Sequence, residues 1–270
     1  MAKITDKDRQ RYHEKVKVFS TMTKALLKTE KDLLMATRDN TPESSIKKLS
    51  IVDEMLNLAS GYMAVNGVSL VVLKVKNEEA LNDARKALYK AVIYLEGIVT
   101  NEIDVPFSEI EEKLSLIGTF DPDQRYNLIR KMGLAIDMLE YAYGDNSKWK
   151  WSFVELEGRF AVVAKNIMDM RNAYNNSSSD SEYYESTVYH LRLIKELLER
   201  GASRYRDKYE LSTQQLGDFK TGLLFLRALR RLHVILSEPE EAEAVKKKIG
   251  IWKIKMEADI KRKEDARRKV

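Results

Sequence analysis

The chain has 270 residues, of which 44% are hydrophobic and 33% are charged, and its formal net charge is +5. This balance is typical of a folded globular protein and excludes a wholly disordered chain. Four prolines and 11 glycines are too few for a β-sandwich or a many-stranded sheet, and the lack of cysteine excludes disulfides, thiolate metal sites and cysteine nucleophiles.

The N-terminal segment is predicted to form one long helix. Thr5 is a suitable N-cap, and Asp6 and Asp8 follow in the first turn, where the helix dipole favours acidic side chains. Apolar residues then recur at three- and four-residue steps until the polar residues 39–42, which end the pattern.

A second helix is predicted over residues 44–66, and the Asn-Gly pair at residues 66–67 predicts a turn after it. Residues 68–75 are rich in β-branched side chains, which are typical of a strand. A lone strand would leave its backbone groups unpaired, so we expect this segment to begin a third helix that ends near residue 100.

Six further helices complete the prediction. They cover about residues 106–118, 122–144, 148–174, 180–209, 213–236 and 239 to the C-terminal end. A polar tract at residues 175–179 predicts a loop. Residues 223–236 are apolar on most helical faces, so this helix is expected to lie at the centre.

These helices differ in length and show no fixed period, which disfavours a regular solenoid. The sequence therefore predicts an all-α protein, an elongated multi-helix bundle or irregular stack of about nine helices without a sheet. We expect residues 1–270 to form a single helical unit, with a subdivision into residues 1–118 and 119–270 as the alternative.

The chain is charged from its third residue, and no apolar stretch of signal-peptide length follows. The least charged run, residues 56–73, contains several polar side chains and two glycines, so we expect no membrane span. The predicted location is the cytoplasm.

No metal site, cofactor or small-molecule substrate is predicted. The residues three positions before His13, His190 and His233 are not glutamate, which excludes the Glu-x-x-His pairs of helical di-iron sites. Phosphate-binding glycine loops and the nucleophile elbow of serine hydrolases are also missing.

One segment resembles a catalytic element. Residues 227–233 read Arg-Ala-Leu-Arg-Arg-Leu-His, which is similar to the paired arginine and histidine of HEPN ribonucleases. The resemblance implies that Arg227 and His233 act on the scissile phosphate of RNA. It covers seven residues, and Ala228 stands where that family usually has a polar residue.

Charge is concentrated at the two ends, at +5 over residues 1–31 and +7 over residues 244–270, which leaves −7 between them. Such ends attract phosphate backbones, and an aromatic ring among them suits base stacking. The candidate nucleic-acid-binding residues are Lys246, Lys247, Lys248, Trp252, Lys253, Lys255, Lys261, Arg262, Lys263, Arg267 and Arg268.

An acidic middle with basic ends also suits docking to a protein or self-association. Trp149 and Trp151 point in different directions at a helix start, which makes them candidate interface anchors. The leading prediction is a non-enzymatic helical scaffold or adaptor. A nucleic-acid-binding accessory protein is the alternative, and a HEPN-like ribonuclease is the third hypothesis.

Overall fold

A computed structural model describes residues 4–37, 41–144 and 147–268, with side chains up to residue 265. Within these ranges the chain is all-helical and contains no strand, as the sequence predicts. Ten α-helices and one π-helical turn, Tyr209–Thr213, are present where about nine helices were expected. The α-helices are α1 Asp6–Met35, α2 Pro42–Val72, α3 Glu78–Ile98, α4 Phe107–Ser115, α5 Pro122–Tyr143, α6 Lys150–Asn166, α7 Met170–Asn176, α8 Tyr184–Lys208, α9 Leu216–Ile235 and α10 Pro239–Arg268.

The helices group into two compact units. Unit 1 contains residues 1–101 and 110–156, and unit 2 contains residues 102–109 and 157–270. The helices α1, α2, α3 and α5 therefore belong to unit 1, whereas α7, α8, α9 and α10 belong to unit 2. Each unit buries its own set of apolar side chains.

In unit 1, α2 packs against α1, α3 and α5. Its central residues are almost completely buried because neighbouring helices cover most of its circumference; they include Ile51, Val52, Met55, Leu56 and Ala59, each at 0% exposure. In the part of the chain that the structure describes, α2 is the one helix whose length and composition would fit a membrane span. Core helices meet the same criteria, and half of its most apolar stretch is buried in unit 1.

A buried carboxylate fixes α1 on α3. Glu30 is 5% exposed, and it accepts hydrogen bonds from Lys90 Nζ at 2.9 Å and from the Tyr94 hydroxyl at 2.6 Å. Burial and the neighbouring Glu30 raise the pKa of Tyr94, so its hydroxyl stays protonated and donates a hydrogen bond to the Glu30 carboxylate. The contact orients α1, whose own apolar burial is sparse.

The predicted turn at residues 66–67 is wrong. Those residues lie inside α2, which continues to Val72, so residues 68–72 end the second helix instead of beginning the third. The link to α3 is held by side chains from α2: Asn66 Oδ1 accepts from the Asn77 backbone at 2.9 Å, and the Ser69 hydroxyl donates to the Val75 carbonyl at 2.7 Å. Asn66 and Ser69 therefore form hydrogen bonds with the segment that follows α2, and neither residue interrupts the helix.

Two other predicted boundaries also change. The helix expected over residues 148–174 is split into α6 and α7 at residues 167–169, where Asp169 caps α7 by accepting from two backbone amides. The helix predicted over residues 213–236 begins later, as α9 at Leu216, because Tyr209–Thr213 form the π-helical turn. The first helix was predicted to end at residues 39–42, but α1 already ends at Met35; residues 39 and 40 lie outside the described residues.

Unit 2 is built around α9, which packs between α8 and α10. Its inner face buries Phe219, Phe225 and Leu226, each at 0–1% exposure. Close approach of the three helices depends on Gly222, because a Cβ there would lie 3.0 Å from the Ala202 carbonyl oxygen and 3.3 Å from the Trp252 ring.

We expect Gly222→Ala to lower the free energy of unfolding by about 1–2 kcal/mol, since the backbone carbonyl cannot move aside without shifting α8. The measurement is urea unfolding of the whole chain, read as a change in midpoint at constant slope. Gly250 in α10 is the matched control, because a Cβ there meets nothing within 4 Å. Gly250→Ala should raise stability by about 0.5–1 kcal/mol, and a Gly222→Ala variant as stable as this control would contradict the packing argument.

Candidate functional site

A strongly basic concave surface lies on unit 2, and we call it the arginine groove. It has a volume of about 520 Å³. Five cationic side chains and one carboxylate line it, with two aliphatic side chains between them. The lining residues are Arg227, Arg230, Arg231 and Val234 from α9, Lys246, Ile249 and Lys253 from α10, and Asp104.

The helical period of α9 creates this surface. Arg227, Arg230, Arg231 and Val234 follow each other at steps of three, one and three residues, which places them on one face of a helix. The opposite face is held between α8 and α10 by buried apolar side chains. On α10, Ile249 is 9% exposed and anchors the same turns that present Lys246 and Lys253.

The groove is only partly neutralised by its own acids. Arg231 Nε lies 2.8 Å from Asp104 Oδ1, and Lys246 Nζ lies 3.0 Å from Glu243 on the next turn. The second pair is solvent-exposed and of the kind that contributes little to stability. With one lining carboxylate against five cations, the groove carries a positive potential suited to an anionic ligand.

A half-buried lysine lies near enough to the Asp104–Arg231 pair for both charges to affect its pKa. Lys165 lies in the last turn of α6, and burial lowers its pKa to about 8. The Asp104 carboxylate opposes this change and the Arg231 guanidinium adds to it. Lys165 therefore combines partial burial with a lowered pKa.

The two residues implied by the ribonuclease resemblance occupy different surroundings. Arg227 is exposed in the arginine groove, whereas His233 is 7% exposed and its Nδ1 lies 2.6 Å from Glu238 Oε2. Six residues on a helix rotate the side-chain direction by about 600°, which leaves the two side chains about 120° apart. His233 does not line the groove, and the ribonuclease hypothesis stays a prediction.

The predicted basic residues of the C-terminal helix separate into three groups. Lys246 and Lys253 line the groove. Several others bond within unit 2: Lys248 with Glu199 at 3.0 Å, Lys255 with Glu210 at 2.5 Å, Arg262 with Asp259 at 3.4 Å and Lys263 with the Gln214 carbonyl at 2.5 Å. Lys247 and Lys261 are exposed and outside the groove, and the side chains of Arg267 and Arg268 lie outside the described part.

Trp252 is not available for base stacking. Its side chain is 4% exposed, with its ring 5.9 Å from the Phe219 ring and the Arg206 guanidinium 4.9 Å from its centroid. The apolar stripe of α10 directs it into unit 2. The described lining of the groove contains no aromatic side chain.

Trp149 and Trp151 are both half-buried. The Arg85 guanidinium lies 4.0 Å from the centre of the Trp149 ring, and Lys150 Nζ lies 5.3 Å from that of Trp151. The cation over Trp149 covers one of its faces. Among the described residues, no cluster of three or more histidine, aspartate or glutamate side chains is arranged to hold a metal ion.

A family model matches residues 8–260 of the chain. The chain belongs to the TP0443 family. The match extends across helices of both units, including α9 and most of α10. Neither a search of the curated proteins nor one of the solved structures finds a match.

The sequence analysis missed most of the arginine groove because the segments of α9 and α10 were considered separately. On α9 the sequence analysis assigns roles to Arg227 and His233 only, and none to Arg230 or Arg231. The arginine spacing on α9 was the available signal. Asp104 and Lys165 carried no comparable signal, since their proximity to Arg231 depends on tertiary packing.

The lowered pKa of Lys165 makes stability depend on pH in a defined direction. A lysine of the unfolded chain has a pKa of about 10.4. As the pH rises, Lys165 therefore loses its proton at a lower pH in the folded state than in the unfolded state. The destabilisation is complete below about pH 8 and disappears as the pH rises towards 10.4. We expect Lys165→Met to stabilise the protein by about 2–3 kcal/mol at pH 7 and by much less at pH 10.

Urea unfolding at the two pH values measures this difference. Lys220→Met on the exposed side of α9 is the control, and its effect on stability should be similar at pH 7 and pH 10. An equal effect of Lys165→Met at both pH values would show that Lys165 titrates like an exposed lysine.

Proposed function

We propose that this protein binds single-stranded nucleic acid through the arginine groove. The observation that carries the proposal is the convergence of five cationic side chains from two adjacent helices on one concave surface. Three of the five are arginines, whose planar guanidinium groups bind phosphate oxygens in pairs. The proposed site includes Lys246 and Lys253 from the basic residues predicted on the C-terminal helix, and it adds the three arginines of α9.

The dimensions of the groove favour one strand over a duplex. From Arg227 to Val234 on α9, and from Lys246 to Lys253 on α10, seven residues rise about 10 Å. A trough of this length contacts only a few successive phosphates of one strand. Packed helix axes lie about 8–10 Å apart, so the trough between them is much narrower than a duplex.

Binding should be independent of base sequence. The described lining offers cations and two aliphatic side chains, with no ring on which a base could stack. Phosphate contacts position a strand but carry no sequence information. The expected ligand is therefore any flexible single strand, held mainly by counterion release.

Fluorescence anisotropy with a twelve-nucleotide single strand tests the proposal. Between 50 and 200 mM salt, the dissociation constant should rise about 20- to 130-fold, for three to five neutralised phosphates on a single strand. The double variant Arg227→Ala/Arg230→Ala should weaken binding at least about tenfold at 50 mM salt and reduce the salt slope by about 1.5. A duplex of the same length serves as the second ligand and should bind more weakly.

Two control variants separate the groove from the general basic charge of the chain. Lys247→Ala removes a charge from α10 outside the groove, and Lys28→Ala removes one from the basic α1. Both should bind within about twofold of the unmodified chain. Equal losses in all variants, or no binding at low salt, would contradict the proposal.

A second candidate function, self-association as a scaffold, has its own supporting observation. Leu134, Met138 and Tyr141 form a row on α5, and they are 57%, 59% and 89% exposed. Apolar side chains at such spacing form a stripe that a twofold axis can place against the same stripe of a second copy. The proposed occupant is therefore another molecule of this chain.

Light scattering tests the scaffold function. The unmodified chain should have the mass of a dimer, and Met138→Glu should convert it to a monomer because a charge would be buried in the contact. Val71→Glu on α2, at a site 71% exposed, is the matched control and should leave the dimer intact. A monomeric mass for the unmodified chain at high concentration would reject this function.

A further inference from the structure

Asp104 is the one carboxylate in the described lining of the arginine groove. Its Oδ1 accepts a hydrogen bond from Arg231 Nε at 2.8 Å, and its side chain is 17% exposed. A carboxylate repels phosphates, and the repulsion is stronger where water is partly excluded. A ligand that brings only phosphates therefore loses affinity at Asp104, whereas a ligand that also donates a hydrogen bond to the carboxylate regains it.

Neighbouring residues in the chain hold Asp104 at the groove. Val105 is 5% exposed, and the Glu102 carbonyl accepts a hydrogen bond from Asn166 Nδ2 at 3.2 Å. Residues 102–109 belong to unit 2, which also contains α9 and α10. The carboxylate is therefore a fixed part of the groove, placed there by the backbone on both sides of it.

The Asp104–Arg231 pair keeps hydrogen-bonding capacity on both partners. Arg231 donates to Asp104 through Nε, so its two terminal Nη groups are the ones that can bind a phosphate. An ionised carboxylate has about four lone-pair sites, and the bond from Arg231 uses one of them. The pair can therefore bind an anion and a hydroxyl donor side by side.

Ribose supplies this combination in a nucleic-acid strand. Its 2′-hydroxyl and its 3′-phosphate are on adjacent ring carbons, and the hydroxyl recurs at every nucleotide as a hydrogen-bond donor. Acidic side chains accept hydrogen bonds from ribose hydroxyls in dinucleotide sites. Deoxyribose lacks this donor, so a DNA strand would place its phosphates near Asp104 without a compensating hydrogen bond.

We propose that the arginine groove selects RNA over DNA, because Asp104 accepts a hydrogen bond from a ribose 2′-hydroxyl while Arg231 binds the adjacent phosphate. This inference rests on the proposed function, and it adds the sugar as the feature that is recognised. The bases play no part in the selection, so it should be the same for strands of different sequence.

Fluorescence anisotropy of the whole chain at 50 mM salt tests the proposal with three twelve-nucleotide strands of uridines. The first strand has ribose, the second has deoxyribose, and the third has 2′-fluororibose, which resembles ribose in conformation but has no hydroxyl proton. The ribose strand should bind about tenfold more tightly than either of the others, as expected for one hydrogen bond to a charged acceptor. A fluorinated strand that binds as tightly as the ribose strand would contradict the role of the hydroxyl.

Variants of Asp104 identify the acceptor. Asp104→Ala should reduce the preference for ribose to within about twofold and should tighten binding of the deoxyribose strand, because a like charge leaves the groove. Asp104→Asn keeps the side-chain shape and a neutral acceptor, and it should retain a preference of about threefold. Glu243→Gln is the control, since it removes an acid that pairs with Lys246 but does not line the groove. It should change the binding of all three strands by the same factor.

Equal binding of the three strands would overturn the selection for RNA and leave a groove that binds any single strand. A preference for ribose that persists in Asp104→Ala would also overturn it, since another residue would then recognise the sugar. The absence of binding by any strand at 50 mM salt would reject the nucleic-acid function itself, and the selection with it.

Discussion

The packing of α9 between α8 and α10 is the constraint on which the functional surface of unit 2 depends. The inner face of α9 is fixed by Phe219, Phe225 and the close approach at Gly222. Because a helix has one rotational setting once its inner face is packed, the outer face is fixed as well. The three groove arginines are therefore held by a rigid core, although they contribute little to it.

Rigid placement matters for a site built from long side chains. Arginine and lysine lose rotamer freedom when they bind a ligand, and this loss opposes affinity. The Arg231–Asp104 pair and the anchored turn around Ile249 limit that freedom before a ligand arrives. The charges of Asp104 and Arg231 also affect the pKa of Lys165, in opposite directions.

The helical class followed from composition and from side-chain period, and both are properties of the local sequence. The capping boxes at Thr5 and Asp121 are local too, and α1 and α5 begin where those residues indicate. The predicted helix boundaries were wrong where contacts with residues distant in the sequence determine the backbone structure. The Asn-Gly pair at residues 66–67 is typical of a turn, but the Asn66 side chain is buried. Its Oδ1 accepts a hydrogen bond from the backbone amide of Asn77, at the start of α3.

The candidate site shows the same difference between features that local sequence determines and features that tertiary packing determines. Lys246 and Lys253 were identified by charge, and three arginines were visible in the sequence, but only the packing of α10 on α9 unites them. Burial reverses the role expected for Trp252, since the apolar stripe that makes it conspicuous also directs it inward. Net charge did not reveal that Lys248 and Lys255 are bonded to glutamates of unit 2.

Photo-crosslinking of a thiouridine-substituted single strand, with mass spectrometry of the linked peptides, tests most directly whether the arginine groove is the binding surface. The proposed site predicts links in two peptides, one covering residues 227–234 and one covering residues 246–253, and their loss at high salt. Links concentrated on the lysines of α1, or on the exposed Lys261 of α10, would contradict it.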